Sequence, residues 1–272
     1  MKLGVGVNIF SGIEFLKPSL INLRKCVDYI VGIYDPVSLT GEEAPSYYIP
    51  LLNLLKEEKL FDVLIENEFT PITKFTGSDC CIRIQQLKRK KYERARCVAL
   101  QKKCSHFLGI DTDEFYDERQ LNNIKGLIEK SNYDVTICRL FDYVHSPLYR
   151  SKDVSKLHVP FIFKCDLPFN GFSYPVLVDY SRTVKAKNFH IFNKDDVIMH
   201  HMTGVRYNKL EMKRKFQGHS HFNGSGEKDK KAFLEFVNSV NELKYDKVED
   251  KFGILKYWKD EFTPFYNKYM MV

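Results

Sequence analysis

Strand and helix patterns alternate four times within about the first 110 residues of this chain, which narrows the fold more than any other feature. The apolar stretch Lys2 to Phe10 reads as a first strand opening into Ser11-Gly12. Phe15, Leu16, Leu20, Leu23 and Val27 then recur at helical spacing, predicting a helix from Glu14 to Cys26. Tyr29 to Tyr34 is a second buried strand ending at Asp35-Pro36. "SYYIPLLNLLKEEKL" is a helix that tolerates Pro50 only near its first turn, and "FDVLIENEF" is a third strand. The stretch from Thr70 to Cys81 reads as loop, Ile82 to Lys103 as a basic helix, and "HFLGI" as a fourth strand. This order is that of a doubly wound α/β sheet with mostly parallel strands.

Beyond Asp117 the pattern changes. One helix, Glu118 to Lys130, precedes four strand-like segments: "YDVTICRLFDYV", "HVPFIFK", "PVLVDYSRTVK" and "NFHIFNKDDVIMHHM". No Gly/Ser or Pro linker divides the two parts, so the expectation is one continuous mixed sheet, parallel at first and β-rich afterwards. From Tyr207 the chain reads as charged helices broken by a flexible loop, "GHSHFNGSGEKDK". A length of 272 residues with 44% hydrophobic residues allows one large domain. We read residues 1–272 as a single domain, with a parallel half over 1–116, a β-rich half over 117–206 and a helical region over 207–272. No stretch approaches the roughly 18 to 20 apolar residues of a membrane span, and the first residues do not form a secretory signal core. A soluble, cytoplasmic protein is expected. The seven cysteines have no C-x-x-C spacing and read as reduced, mostly buried thiols.

The fourth strand delivers the chain into "IDTDEFYD", which places Asp111, Asp113, Glu114 and Asp117 at its exit. Asp117 has the position of a helix cap, but capping does not account for Asp111 and Asp113. A calcium loop lacks its glycine and its twelfth-position glutamate. A carboxylate pair straddling a scissile bond is a third reading, but D-x-D on an extended strand puts both side chains on one side, which suits joint metal binding better. The fourth is a Mg²⁺ or Mn²⁺ site shared with the phosphates of a nucleotide diphosphate. It uses the neighbouring charge as well, for nine Lys or Arg residues lie between Arg83 and Lys103 against Glu93 alone, in a chain of net charge +7. In an open parallel sheet ligands bind at the carboxyl ends of the strands, where Asn8 to Gly12 and Tyr34-Asp35 also lie.

The strand ending in D-x-D, behind an Arg-bearing helix ("YERARCVALQKKCSHFLGIDTDEFY"), and the later "MHHMTGVR" resemble GT-A glycosyltransferases from Lys2 to about Phe222. The resemblance implies a GT-A, Rossmann-like mixed sheet and a nucleotide-sugar donor. It implies a divalent metal on Asp113, with Asp111 toward the ribose or a metal-bound water, and one of His200 and His201 completing the site. Strand alternation sends these histidines to opposite faces, and His201 is slightly favoured. Nucleotide contacts implied for Asn8, Phe10 and Asp35 depart from the family 2 pattern, because "NIFSGIEF" and "IYDPVS" replace its usual loops and only Asp35 stands in for the second. Arg94 or Arg96 would reach the diphosphate, with Arg206 and Lys213 also toward the donor. Glu114, Asp142 and Asp179 are candidates for a catalytic base, and none is singled out.

The opening "MKLGVGVNIFSGIEFLKPSL", with "IDTDEFY" and "MHHMTGVR", is similar to small glycosyltransferases of T4-like bacteriophages, some resembling enzymes that attach arabinose to 5-hydroxymethylcytosine in DNA. The implied donor is UDP-arabinose and the implied acceptor DNA. Rival expectations are a polysaccharide or lipid-linked glycan as acceptor, or a non-enzymatic nucleic-acid-binding protein using the basic helix.

Overall fold

The computed structural model describes residues 1–37, 43–68, 78–212 and 245–270, with 78–84 as backbone alone. Its N-terminal part follows the predicted alternation: β1 (Leu3–Ile9), α1 (Leu16–Arg24), β2 (Tyr29–Tyr34), α2 (Tyr48–Glu57), β3 (Val63–Glu66), α3 (Ser78–Gln101) and β4 (His106–Asp111). These four strands are parallel in the order β4-β1-β2-β3. The chain builds outward from β1 to β3 and then returns through α3 to place β4 on the other side of β1. The order therefore reverses between β1 and β4, and the crevice at their carboxyl ends is the switch point where such sheets bind ligands. Asn8 and Asp111 are paired across it.

The sheet continues without a break into the second part. β8 (His158–Lys164) runs antiparallel to β4 and to β6 (Val135–Val144). β10 (Ile198–Gly204) lies between β6, to which it is parallel, and the short antiparallel β5 (Glu114–Tyr116). The result is the expected mixed α/β sheet. β7 (Tyr149–Ser151), β9 (Phe189–Ile191) and β11 (Tyr245–Lys247) extend its β6 side.

Helices cover both faces, which is why the central strands are buried throughout. On one face α1, α2, α4 (Glu118–Ser131) and the C-terminal residues Trp258 and Phe262 share a core with Val5, Val7 and Ile110. On the other, Tyr92, Ala95 and Ala99 of α3 pack with Phe107, Phe163, Phe169 and Val184. The Tyr92 ring lies so close that a Cβ at Gly109 would stand 3.1 Å from it. Asp117 caps α4 as expected, accepting from the Gln120 amide at 3.0 Å.

Two strand expectations are corrected. "PVLVDYSRTVK" holds only isolated bridges and a 3₁₀ turn, Tyr180–Arg182. The Asp179 side chain accepts from the Ser181 amide and hydroxyl, a local bond that competes with an extended ladder. "NFHIFNKDDVIMHHM" breaks into β9 and β10 because Asn193 and Asp196 close a turn on each other. In the C-terminal region Ile254–Tyr257 and Thr263–Met270 are helical around a π-helical turn, Trp258–Phe262. Lys213 and "GHSHFNGSGEKDK" lie outside the described residues. Among the described cysteines, Cys26, Cys104, Cys138 and Cys165 are buried free thiols and Cys97 is exposed. No helix among the described residues is long and apolar enough to cross a membrane.

Candidate active site

Asp111 and Asp113 do not share one extended strand, as the D-x-D spacing suggested. Asp111 ends β4, the chain turns through Thr112 and Asp113, and Glu114 begins β5. The turn is pinned to the β1 exit by a hydrogen bond from the Thr112 hydroxyl to the Ser11 carbonyl. Gly12 makes this contact possible: it has φ 73°, and a Cβ there would stand 3.0 Å from Thr112 Oγ1. The two aspartates consequently face different surroundings.

Asp111 is enclosed by donors. Oδ1 accepts from Asn8 Nδ2 at 2.8 Å and from the Tyr92 hydroxyl at 2.7 Å. Oδ2 lies 2.5 Å from Lys88 Nζ and 3.2 Å from an Arg182 nitrogen. Burial would raise its pKa, but Lys88 and Arg182 outweigh burial and hold the carboxyl well below the usual carboxylate range. Arg182, 1% exposed, also chelates both oxygens of Glu114 and places Nε 3.1 Å from Asp179 Oδ2. Lys88 lies 3.8 Å from Asp179 as well. Asp111, Glu114 and Asp179 thus form one acidic set shared by two internal cations.

This arrangement corrects two of the base candidates. Glu114 has both oxygens on Arg182, Oε2 also accepts from the Asp111 amide at 2.9 Å, and the side chain is buried, so it is held inside the acidic set and not presented to an acceptor. Asp179 is spent on its cap; against the raising effect of burial, Lys88 and Arg182 lower its pKa and so its basicity. The third candidate, Asp142, stays half-buried and faces His201.

Asp113 has different neighbours. Its Oδ2 accepts from Arg206 at 2.8 Å, and Arg206 is fixed in turn by donating to the Met202 and Val205 carbonyls. Across a gap of 3.8 Å from Asp113 Oδ1 stands His201 Nε2. His201 Nδ1 lies 3.1 Å from Asp142 Oδ1. A carboxylate can only accept, so Nδ1 is the donor in this contact and Nε2 is the ring nitrogen turned toward Asp113. Asp113 Oδ1 and His201 Nε2 thus face each other at a spacing that two ligands of one cation can have.

The fit to the metal expected from the sequence is therefore specific. Asp113 and His201 suit Mg²⁺ or Mn²⁺, which take few protein ligands and complete their shells with phosphate and water. Asp111 does not, because four donors already occupy it. His200 does not either: it points to the opposite face, where Nδ1 meets the Tyr143 hydroxyl at 2.8 Å and the ring packs edge-on against Phe252. Burial lowers the His200 pKa to about 3. Among the described residues no group of three His, Cys, Asp or Glu side chains gathers as a ready-made metal cluster.

The remaining sequence candidates divide. Asn8 sits at the switch point on Asp111, and Phe10 is half-buried at the β1 exit. Asp35 is buried between Asn67 Nδ2 at 2.7 Å and Lys91. Arg96 is directed away from the acidic turn, to Glu93 and the Cys165 carbonyl near the start of β4. Arg94 donates to the Glu66 carbonyl at the end of β3. Neither arginine contacts Asp111 or Asp113.

Sequence reasoning missed Lys88, Tyr92 and Arg182. Lys88 lies one turn before Tyr92, Ala95 and Ala99, on the face of α3 that packs on the sheet, and a lysine on an apolar helix face was the available signal. Glu14 was also missed. This carboxylate is fully buried behind Arg206, whose Nε lies 3.9 Å away, and burial raises its pKa to about 7.

No family model and no curated protein matches the chain. Among solved structures it is similar to S. aureus TarS 1-349 in complex with UDP-GlcNAc, at 12% identity over 99% of this chain and 76% of that one, with a TM-score of 0.48. It is also similar to a longer S. aureus TarS chain, at 11% identity over 88% of this chain and 43% of that one, with a TM-score of 0.46. Likeness of this degree assigns no activity.

Proposed function

We propose that this chain is a metal-dependent glycosyltransferase that moves a sugar from a nucleotide diphosphate sugar to an acceptor hydroxyl. The observation that carries the reading is the placement of Asp113 beside His201, with Oδ1 and Nε2 3.8 Å apart next to the β1–β4 switch point. A hard divalent cation held there, Mn²⁺ or Mg²⁺, supplies neutralisation of the charge that grows on a departing diphosphate. The chain's residues do the rest. Asn8, Phe10 and Asp35 line the β1 and β2 exits where the nucleoside would lie, and Asp111 sits at the same crevice toward the ribose. Lys88, Arg182 and Arg206 keep the acidic turn from repelling a diphosphate, and no side chain needs to move to do so.

In its finer form the donor is UDP-arabinose and the acceptor hydroxymethylcytosine in DNA, with the sequence resemblance as support. A glycan acceptor is a second reading, favoured by a specific observation. Three of the nine cations of the basic segment, Lys88, Lys91 and Arg96, are held by internal carboxylates, as are Arg182 and Arg206, so these five are not offered to a phosphate backbone.

The test is release of nucleotide diphosphate from a panel of nucleotide sugars with Mn²⁺, with and without hydroxymethylcytosine-containing DNA. The proposal expects release that is lost in EDTA and in Asp113→Asn. Stimulation by that DNA alone supports the finer form. Release indifferent to DNA but stimulated by a glycan supports the second reading, and failure of every donor to bind overturns the function.

A further inference from the structure

We infer that Asp142 is a positioning residue, whose carboxylate fixes the tautomer and ring orientation of His201 so that Nε2 faces Asp113. The inference rests on the proposed metal-dependent reading and extends it to a residue outside the acidic turn.

Three observations converge. His201 and Asp142 are direct partners in the parallel β10–β6 ladder. The register breaks immediately afterwards, between His201 and Gly204, and an irregularity of this kind commonly re-aims a side chain beside a site. Second, the contact is Nδ1 to Oδ1 at 3.1 Å, with both side chains partly open, at 25% and 29% exposure. Nothing in the burial of Asp142 demands a histidine partner, since water could satisfy it. Third, on the far side of the ring Nε2 faces Asp113 Oδ1, and Arg206 occupies the other oxygen of that carboxylate. A carboxylate that holds one imidazole nitrogen as N–H leaves the other as a lone-pair donor, the arrangement that orients metal-bound histidines. With the amide of asparagine in place of Asp142, either nitrogen could be protonated, and half of the selection would vanish.

The experiment measures Mn²⁺ binding in the presence of UDP, from the electron paramagnetic resonance signal of free Mn²⁺. It compares the wild type with Asp142→Asn, Asp142→Ala, Asp142→Glu and His201→Ala. UDP affinity in EDTA and the melting temperature are recorded for each. The inference expects Asp142→Asn and Asp142→Ala to weaken Mn²⁺ by about 10- to 100-fold, Asp142→Glu to recover part of the loss, and UDP affinity in EDTA to stay unchanged. A merely structural role would move the melting temperature and UDP affinity together. Mn²⁺ binding unchanged in Asp142→Asn but lost in His201→Ala overturns the positioning role and leaves the metal reading intact. Wild-type protein that binds UDP but shows no Mn²⁺ binding overturns both. If Asp142→Ala does not fold, the near-isosteric Asn variant decides the outcome.

Discussion

Asp111 and Asp113 are two residues apart and belong to different kinds of surroundings. Around Asp111 every oxygen is taken: Asn8, Tyr92, Lys88 and Arg182 close on it, and Glu114 and Asp179 join through the same cations. Around Asp113 one oxygen is tied to Arg206 while the other lies 3.8 Å from His201, a partly exposed histidine. The first is an ionic framework that holds the β1–β4 crevice in shape, and the second is where the proposed cation would be held. An acidic motif can therefore be split by one turn of backbone into a structural half and a chemical half.

Substitution separates the halves most sharply at Asp113. Asp113→Asn should lower donor turnover by roughly three orders of magnitude, about 4 kcal/mol of transition-state stabilisation, with a smaller loss of stability than Arg182→Gln because a single buried cation, Arg206, loses its counter-charge. Initial rates of UDP release together with urea titration check this. Arg182→Gln should do the reverse first: with Asp111, Glu114 and Asp179 left under-compensated, it should cost about 3–5 kcal/mol of stability. Equilibrium urea unfolding reads it, and an unchanged midpoint would break the comparison. Asp111→Asn should fall between them, at about 1–3 kcal/mol, because the isosteric amide keeps some of the four contacts and loses the charge.

Acid sharpens the contrast on the other face of β10. The folded state holds the His200 pKa near 3, below the unfolded value, so the unfolded chain binds the extra proton between those two values. Stability conferred by the neutral ring is complete above the unfolded pKa and is lost as pH falls toward 3. His200→Gln should therefore melt with a shallower loss between pH 7 and pH 4 than the wild type, as thermal scans at the two pH values would show. Arg96→Gln, remote from both aspartates, should change donor turnover by less than about twofold.

Much of the scaffold was legible because its signals are local. Parallel strands buried on both faces read as apolar runs, and the cap at Asp117 and the strand at Tyr29–Tyr34 appeared where the pattern placed them. The opposite orientation of His200 and His201 followed from the two-residue period alone. What could not be read is the pairing of charges across the chain. Arg94 and Arg96 looked suitable because they precede the motif in sequence, yet the residue that reaches Asp111 and Glu114 is Arg182, from a segment whose β-branched residues suggested a strand. Local hydrophobic pattern carries no information about which distant guanidinium a carboxylate will meet.

That distance has a consequence for how the protein comes into being. Asp111 finds Lys88 within the first half, but the counter-charge of Glu114 arrives with Arg182 and that of Asp113 with Arg206. While only the first 150 or so residues have left the ribosome, β1 to β4 can pair, but closing their crevice would bury Glu114 and Asp113 before Arg182 and Arg206 exist to meet them. The donor half should therefore stay open until the second half has been made, and a fragment ending near Tyr116 should not survive as a folded unit by itself.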